Sequence, residues 1–194
     1  MIPPEQGKLL KRPERRRALI EAATRAFARG GFAATSLDQV AAEAGVSRVL
    51  IYRHFDSKTE LYQAVLTEVG EQLRLATGHP DLAPDGLQGL VRAAQQNPQG
   101  FRLFFQQAGQ EPEFRAHADE LRSAMKATAE PYLEGVISDP AQLRWAADLI
   151  PVIAVEAVAA WLDAGQPGPE TAAATIGEVI GAAVRAIAAG PARD

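Results

Sequence analysis

The sequence predicts an all-α protein. Ala, Leu, Glu, Arg and Gln fill most segments at the 3.6-residue spacing of helices, and alternating apolar runs flanked by hairpin turns do not occur. A chain of 194 residues is long enough to bury a full core, as one large domain or as a small domain joined to a larger one. Pro and Gly residues divide it into nine predicted helices.

Short breaks containing Pro or Gly separate the predicted helices, because a helix must end or begin at such positions. The predicted bounds are 13–30, 37–44, 48–54, 58–76, 84–96, 99–108, 113–136, 140–164 and 169–189. The first helix begins with a proline and ends at Gly30-Gly31, and its apolar face is Leu19, Ile20, Ala23 and Phe27. Pro151 is expected to kink or locally unwind the eighth helix.

Composition and charge divide the chain into parts. Residues 1–65 hold 11 Lys and Arg against 7 Asp and Glu, whereas residues 66–194 hold 9 against 17, and the net charge of the chain is −4. A basic segment on an acidic body indicates that a polyanion contacts one end. The predicted parts are a flexible basic arm (1–12), a small domain (13–57) and a larger acidic domain (58–194).

Several functional classes find no support in the sequence. It has no Cys, which excludes disulfides and thiolate chemistry. It also shows neither an apolar run of about 18 residues nor a secretory signal, so we expect a cytoplasmic protein. Phosphate-binding Gly-rich loops and hydrolase motifs are also missing, so neither an enzyme nor a cofactor is predicted. His117 with Asp119 and Glu120 supplies at most two convergent ligands, and no metal site is predicted.

The second and third predicted helices form a helix-turn-helix. Only "GVS", residues 45–47, joins them, so they must cross steeply. Gly45 suits the left-handed conformation that ends the first helix, and Ser47 suits the cap of the second. The residues with the spacing of a shared small core are Val40, Ala41, Ala44, Val46, Ile51 and Phe55.

The second helix of this motif fits the major groove of DNA, where Arg reads guanine edges and apolar side chains touch thymine methyl groups. Base contacts are predicted for Arg48, Val49, Leu50 and Arg53. Phosphate contacts are predicted for Thr35, Ser36, Ser47, Tyr52, His54 and Lys58. Such a short helix is not stable alone, so a scaffold must display it.

The stretch "TSLDQVAAEAGVSRVLIYRHFDSKTEL", residues 35–61, resembles the DNA-binding signature of TetR-type transcriptional regulators, and "RRRALIEAATRAFARGGF" resembles their first helix. The resemblance covers residues 13–65. It implies an all-α homodimer with an N-terminal helix-turn-helix and a larger effector-binding domain, and usually repression that a small molecule relieves. Val49 and Leu50 are larger than the residues common there, which favours thymine-methyl contact.

The carboxy-terminal part carries aromatic residues suited to an apolar or aromatic ligand, although each such residue is more often ordinary core than pocket lining. The candidate ligand-binding residues are Phe101, Phe104, Phe105, Phe114, His117, Met125, Tyr132 and Trp145. The last two helices are rich in Ala, which permits close packing in a four-helix dimer interface, or alternatively against their own subunit. The candidate interface residues are Ala154, Ala157, Val158, Trp161, Thr171, Ala174, Ile176, Val179 and Ala183.

These features predict a dimeric repressor that binds a near-palindromic operator, with recognition helices about 34 Å apart, and that a ligand releases. Tilting of helix 58–76 is the expected lever, and a coupling free energy of about 1 to 3 kcal/mol is sufficient. Two alternatives remain: a dimeric adaptor that binds a protein, and a small-molecule carrier with a vestigial helix-turn-helix.

Overall fold

The structure is a computed structural model that describes residues 11–78 and 86–190, except for the side chain of Gln110. These residues contain nine α-helices and no strand. The helices are α1 (Arg12–Ala34), α2 (Leu37–Ala44), α3 (Arg48–Tyr52), α4 (Lys58–Ala76), α5 (Gly86–Gln96), α6 (Pro98–Arg102), α7 (Arg115–Glu134), α8 (Pro140–Asp163) and α9 (Ala172–Ala189). The predicted fold class is therefore confirmed. Most of the predicted arm, and residues 84 and 85 of the fifth predicted helix, lie outside the described residues.

The chain forms two compact units, which divide between Val65 and Leu66 inside α4. The sequence prediction put the start of the second domain earlier, at Lys58. The first unit contains α1, α2, α3 and the beginning of α4, and the second contains the rest of α4 and α5 to α9.

The first unit packs around the predicted apolar residues. The apolar face of α1 is buried, and so are Val40, Ala41, Ile51 and Phe55, whereas Ala44 and Val46 are partly exposed. Phe27 lies at the centre, edge-on to Tyr62 of α4 with 4.9 Å between the ring centroids. This core fixes the orientation of the short α3 helix.

Local sequence signals set the ends of α1 and α2. The side chain of Ser36 accepts a hydrogen bond from the backbone N–H of Gln39 at 3.2 Å, and the Gln39 side chain accepts one from the backbone N–H of Ser36 at 2.7 Å. Gly45 ends α2 with φ of 65°, as predicted. Gly31 breaks α1 with φ of 72°, but one more helical turn carries α1 on to Ala34, beyond the predicted end at Gly30.

Two predicted helices differ from the structure. The predicted helix 48–54 ends at Tyr52, because Arg53 and His54 form a turn that closes on Leu50 and Ile51. The predicted helix 99–108 is α6 followed by a π-helical turn over Leu103–Gln107 and a 3-10 turn over Ala108–Gln110. The wide π turn accommodates three consecutive buried side chains, those of Leu103, Phe104 and Phe105.

The second unit is a helical bundle in which α8 packs against both α7 and α9. Its core includes Leu133 of α7, Ala147 and Ile150 of α8, and Ile187 of α9. Pro151 is buried, and α8 stays helical on both sides of it, so the predicted unwinding does not occur.

Helices α8 and α9 are long and apolar enough to cross a membrane by length and composition, a test that core helices of soluble proteins also pass. Half of the most apolar window of α8 is buried within the chain. The corresponding fraction for α9 is 17%, which leaves most of an apolar helix without cover from its own subunit.

Candidate nucleic-acid interface

Helix α3 displays the side chains that the sequence assigned to DNA. Val49 is 64% exposed and Tyr52 is 45% exposed, while Arg53 is exposed and Leu50 is half-buried. Ile51 faces the core of the first unit and holds the helix in place. Val49, Tyr52 and Arg53 thus form an exposed face of mixed apolar and cationic character on this short helix.

The guanidinium of Arg48 is held by two neighbours. It forms an ion pair with Asp38 at 3.1 Å, donates a hydrogen bond to the Tyr52 hydroxyl at 3.0 Å and lies 5.5 Å from the Tyr52 ring centroid. The hydrogen bond to Tyr52 and the charge of Asp38 both raise the pKa of Arg48. By contrast, Arg53 makes no ion pair within residues 11–78 and 86–190, so its guanidinium is the readier group for a base edge.

Thr35 is buried in the first unit, and Lys58 is partly buried with its ammonium group bonded to the backbone. The Lys58 ammonium donates hydrogen bonds to the carbonyls of Phe32, Ala33 and Thr35, at 2.8, 3.4 and 3.1 Å, and lies 4.3 Å from the Phe32 ring centroid. Thr35 is buried, and its hydroxyl donates to the Ala26 carbonyl at 3.4 Å. These contacts hold both side chains at the end of α1 in the free protein, and their phosphate role stays a prediction.

The remaining predicted phosphate ligands lie at the surface. Ser36 and Ser47 are exposed and begin α2 and α3, although Ser47 makes no capping hydrogen bond through its side chain. His54 is half-buried just beyond α3. Partial burial lowers the pKa of His54, and the positive charges of Arg12, Arg15 and Arg16 lower it further.

The sequence prediction missed two groups of arginines on α1. Arg25 forms an ion pair with Glu43 of α2 at 2.7 Å, and Arg29 also pairs with Glu43, so the hydrogen bond from Arg25 and that from Arg29 lower the pKa of this carboxyl group. These pairs fasten α2 to α1. The other group lies at the beginning of α1 beside His54. Only the density of Arg over residues 12–17 could have indicated it.

Comparison with known proteins agrees with this geometry. Residues 19–65 match the family model described as bacterial regulatory proteins, tetR family. The HTH-type transcriptional activator FasR of Mycolicibacterium smegmatis is 35% identical over 109 residues, which are 52% of this chain and 50% of FasR. Residues 19–65 of this chain therefore carry the TetR-family sequence signature.

A second TetR-family relative is the HTH-type transcriptional repressor Rv3405c of Mycobacterium tuberculosis, 45% identical over 56 residues, 29% of this chain and 30% of the relative. The chain thus spans half or less of the length of these curated relatives, which are named as regulators and not as enzymes. A TetR-like transcriptional regulator from Rhodococcus sp. RHA1 superposes with a TM-score of 0.71 at 23% identity, over 90% of this chain and 98% of that chain, which shows the shared fold.

The predicted ligand-binding residues do not line one cavity. Met125 and Tyr132 line an apolar cavity of about 300 Å³, Phe104 and His117 line a polar one of about 400 Å³, and Phe101 lines a third of about 250 Å³. Phe105 packs against Phe101 and Phe104, with ring centroids 4.9 and 5.2 Å apart. Phe114 is also buried, whereas Trp145 is 57% exposed.

The apolar cavity is lined by uncharged, mostly apolar side chains of the second unit. Its lining comes from four helices, α5, α7, α8 and α9, and from Thr77 just beyond α4, and includes Leu87, Leu90, Met125, Ile150, Pro151 and Ile180. Two threonines also line it, but the Thr77 hydroxyl donates to the Leu73 carbonyl at 3.0 Å and that of Thr128 to the Ala124 carbonyl at 2.9 Å. None of the described lining side chains is charged.

The predicted dimer residues fall into three groups of different exposure. Ala154, Val158, Trp161 and Ile176 are buried within the subunit, and the Trp161 indole N–H donates to the Pro167 carbonyl at 2.9 Å. Ala157 and Ala183 are partly exposed. Thr171, Ala174 and Val179 are exposed, and Val179 is 55% exposed. Only the last two groups are available to a second subunit, so part of the predicted set packs inside its own chain.

Proposed function

We propose that this TetR-family protein is a cytoplasmic, dimeric repressor that binds a near-palindromic operator through α3 and leaves it when a small ligand occupies the apolar cavity. The observation that carries the DNA-binding part is the display of Val49, Tyr52 and Arg53 on a five-residue helix held by the buried Ile51. A helix this short contributes little stability by itself, so its exposed face is best explained by recognition. The relatives include an activator and a repressor, and the usual action of the family favours repression.

We expect Arg53→Ala to weaken binding to an operator fragment more than binding to random DNA of equal length. A lost base contact costs about 1 to 3 kcal/mol at the specific site only. The measurement is a gel shift or fluorescence anisotropy titration with DNA from upstream of the gene that encodes this chain. The wild-type affinity should also fall steeply with salt, with a log–log slope of about −0.9 for each phosphate contact.

Arg92→Ala is a matched control, because Arg92 is an exposed arginine of α5 in the second unit. It should leave both affinities unchanged. Equal losses on operator and random DNA for Arg53→Ala would contradict a base-reading role. A wild type that prefers no upstream fragment over random DNA would contradict the DNA-binding function and favour the adaptor or the carrier.

The apolar cavity supports a ligand that is small, uncharged and apolar or aromatic. Burying a carboxylate without a partner is costly, and the described lining offers no cation to pair with one. At about 30 Å³ for each water in the liquid, a volume of about 300 Å³ corresponds to about ten water molecules. A ligand that binds one conformation better than another shifts the population away from the one that binds DNA.

A thermal-shift screen of small uncharged aromatic compounds should find ligands, and Ala129→Phe should abolish the shift by filling the cavity. A compound at 100 times its dissociation constant stabilises the protein by about 2.7 kcal/mol, which is about 5 to 10 °C at this size. Ala124→Phe is the matched control, since Ala124 also lies on α7 and is partly exposed but lines the polar cavity. Loss of the shift in Ala124→Phe alone would assign the ligand to the polar cavity.

The exposed face of α9 supports a homodimer. This helix is apolar, with a mean hydropathy of 1.5 over its 18 residues, yet only 17% of it is buried by its own chain. A second copy of the same helix would remove this surface from water without any change in the subunit. A symmetric dimer also supplies the two recognition helices that a palindromic operator requires.

A further inference from the structure

The beginning of α1 carries a cluster of cations that form no ion pair in the described parts of the chain. Arg12, Arg15 and Arg16 form no ion pair within residues 11–78 and 86–190, whereas Arg25, Arg29 and Arg48 of the same unit all do. Positive charges in the first turns of a helix are also disfavoured by the helix dipole. The described residues offer this cluster one evident stabilising contact, that of Arg16 with the Phe55 ring.

The cluster lies beside the recognition helix. The Arg16 guanidinium lies 4.8 Å from the centroid of the Phe55 ring, and the His54 ring lies 6.5 Å from the same ring. The charged groups that face His54 are Arg12, Arg15 and Arg16, all from α1. Because His54 directly follows Arg53 in the chain, the cluster adjoins a residue that is predicted to read bases.

We propose that Arg12, Arg15, Arg16 and His54 form a DNA-phosphate-binding surface, and that His54 takes up a proton from the buffer when a phosphate binds there. The inference rests on the proposed DNA-binding function. In the free protein, the positive charges of the three guanidinium groups disfavour protonation of the His54 imidazole. A phosphate offsets that repulsion, so the protonated imidazole becomes a further donor to the DNA backbone.

The sign of the pH dependence follows from linkage. Partial burial and the arginines lower the pKa of His54 in the free protein, so the imidazole is neutral near pH 7. The phosphate raises this pKa in the complex. At pH values between the pKa of His54 in the free protein and its higher pKa in the complex, DNA binding is coupled to uptake of one proton. In this range the affinity for DNA rises by at most about tenfold for each unit that the pH falls.

The test uses the full-length protein and a random-sequence duplex of 30 base pairs, titrated by fluorescence anisotropy at a series of pH values from 5.5 to 8. Wild-type affinity should rise as the pH falls, and His54→Gln should remove that dependence. Arg12→Gln should weaken binding about 2- to 5-fold and reduce the magnitude of the salt slope by about 0.9. Arg17→Gln removes an exposed charge from the same helix that does not face His54, and should leave the pH dependence and the salt slope unchanged.

A direct measurement covers the case in which His54→Gln fails to fold. The chain has three histidines, so NMR can follow the His54 ring in the wild type. Its titration midpoint should rise when the duplex is added, and should rise in free Arg12→Gln but not in free Arg17→Gln. A midpoint that DNA leaves unchanged, or pH-independent binding, overturns this inference. The proposed function fails separately, if upstream DNA is bound no better than the random duplex.

Discussion

Val179→Asp is expected to convert the protein from dimer to monomer and to abolish operator binding. Val179 is 55% exposed on the apolar, mostly uncovered face of α9. A carboxylate without a partner in the centre of an apolar interface costs about 3 to 5 kcal/mol, which raises the dimer dissociation constant by more than about a hundredfold. Light scattering or analytical ultracentrifugation at micromolar concentration measures the change.

Val136→Asp is the matched control, because Val136 is 53% exposed but lies beyond the end of α7 instead of on α9. It should leave the dimer intact. Circular dichroism should show that both variants keep their helices, since neither valine is buried in the subunit. A wild type that is monomeric at micromolar concentration, or a dimer that Val179→Asp does not weaken, would remove the proposed interface.

Gly89→Ala is expected to destabilise the second unit by about 1 to 3 kcal/mol. A Cβ at Gly89 of α5 would lie 1.8 Å from the backbone carbonyl oxygen of Ala76, at the end of α4. Backbone cannot move aside as the tip of a flexible side chain can, so α5 must shift. Because Leu87 and Leu90 of α5 line the apolar cavity, the variant should also lose ligand affinity.

Gly177→Ala is the control for the change of residue type. A Cβ there would lie 3.6 Å from a methyl carbon of Leu87, an ordinary contact, and alanine favours the interior of α9 by up to about 1 kcal/mol. Thermal unfolding should therefore show a lower midpoint for Gly89→Ala and an equal or higher one for Gly177→Ala. Equal midpoints for Gly89→Ala and the wild type would contradict the close approach of α4 and α5.

Much of the first unit is predictable from sequence, because its determinants are local. Gly45 and the capping pair of Ser36 and Gln39 specify where α2 begins and ends. The apolar spacing likewise identifies Ile51 and Phe55 as core and leaves Val49 outside. The roles of the DNA-facing residues stay predictions, since recognition depends on a partner that the sequence does not contain.

The second unit is less predictable, because Ala, Leu and Phe are suited both to a packed core and to the lining of a ligand cavity. Phe101, Phe104 and Phe105 read as one aromatic lining, but two of them face different cavities and the third packs between their rings. The π turn at Leu103–Gln107 also has no strong local signal, since its cause is the packing of consecutive buried side chains.

The sequence by itself determined the helices, the helix-turn-helix and which face of α3 is displayed, because periodicity, caps and turn residues act over a few positions. Only the tertiary structure decided which charged side chains already have hydrogen-bond or ion-pair partners within the chain. Lys58 is bonded to carbonyls 23 to 26 residues away, and Arg48 is paired with Asp38, whereas the arginines beside His54 are unpaired in the described chain. An ion pair depends on distances in space between residues far apart in the chain, and local pattern does not fix those distances.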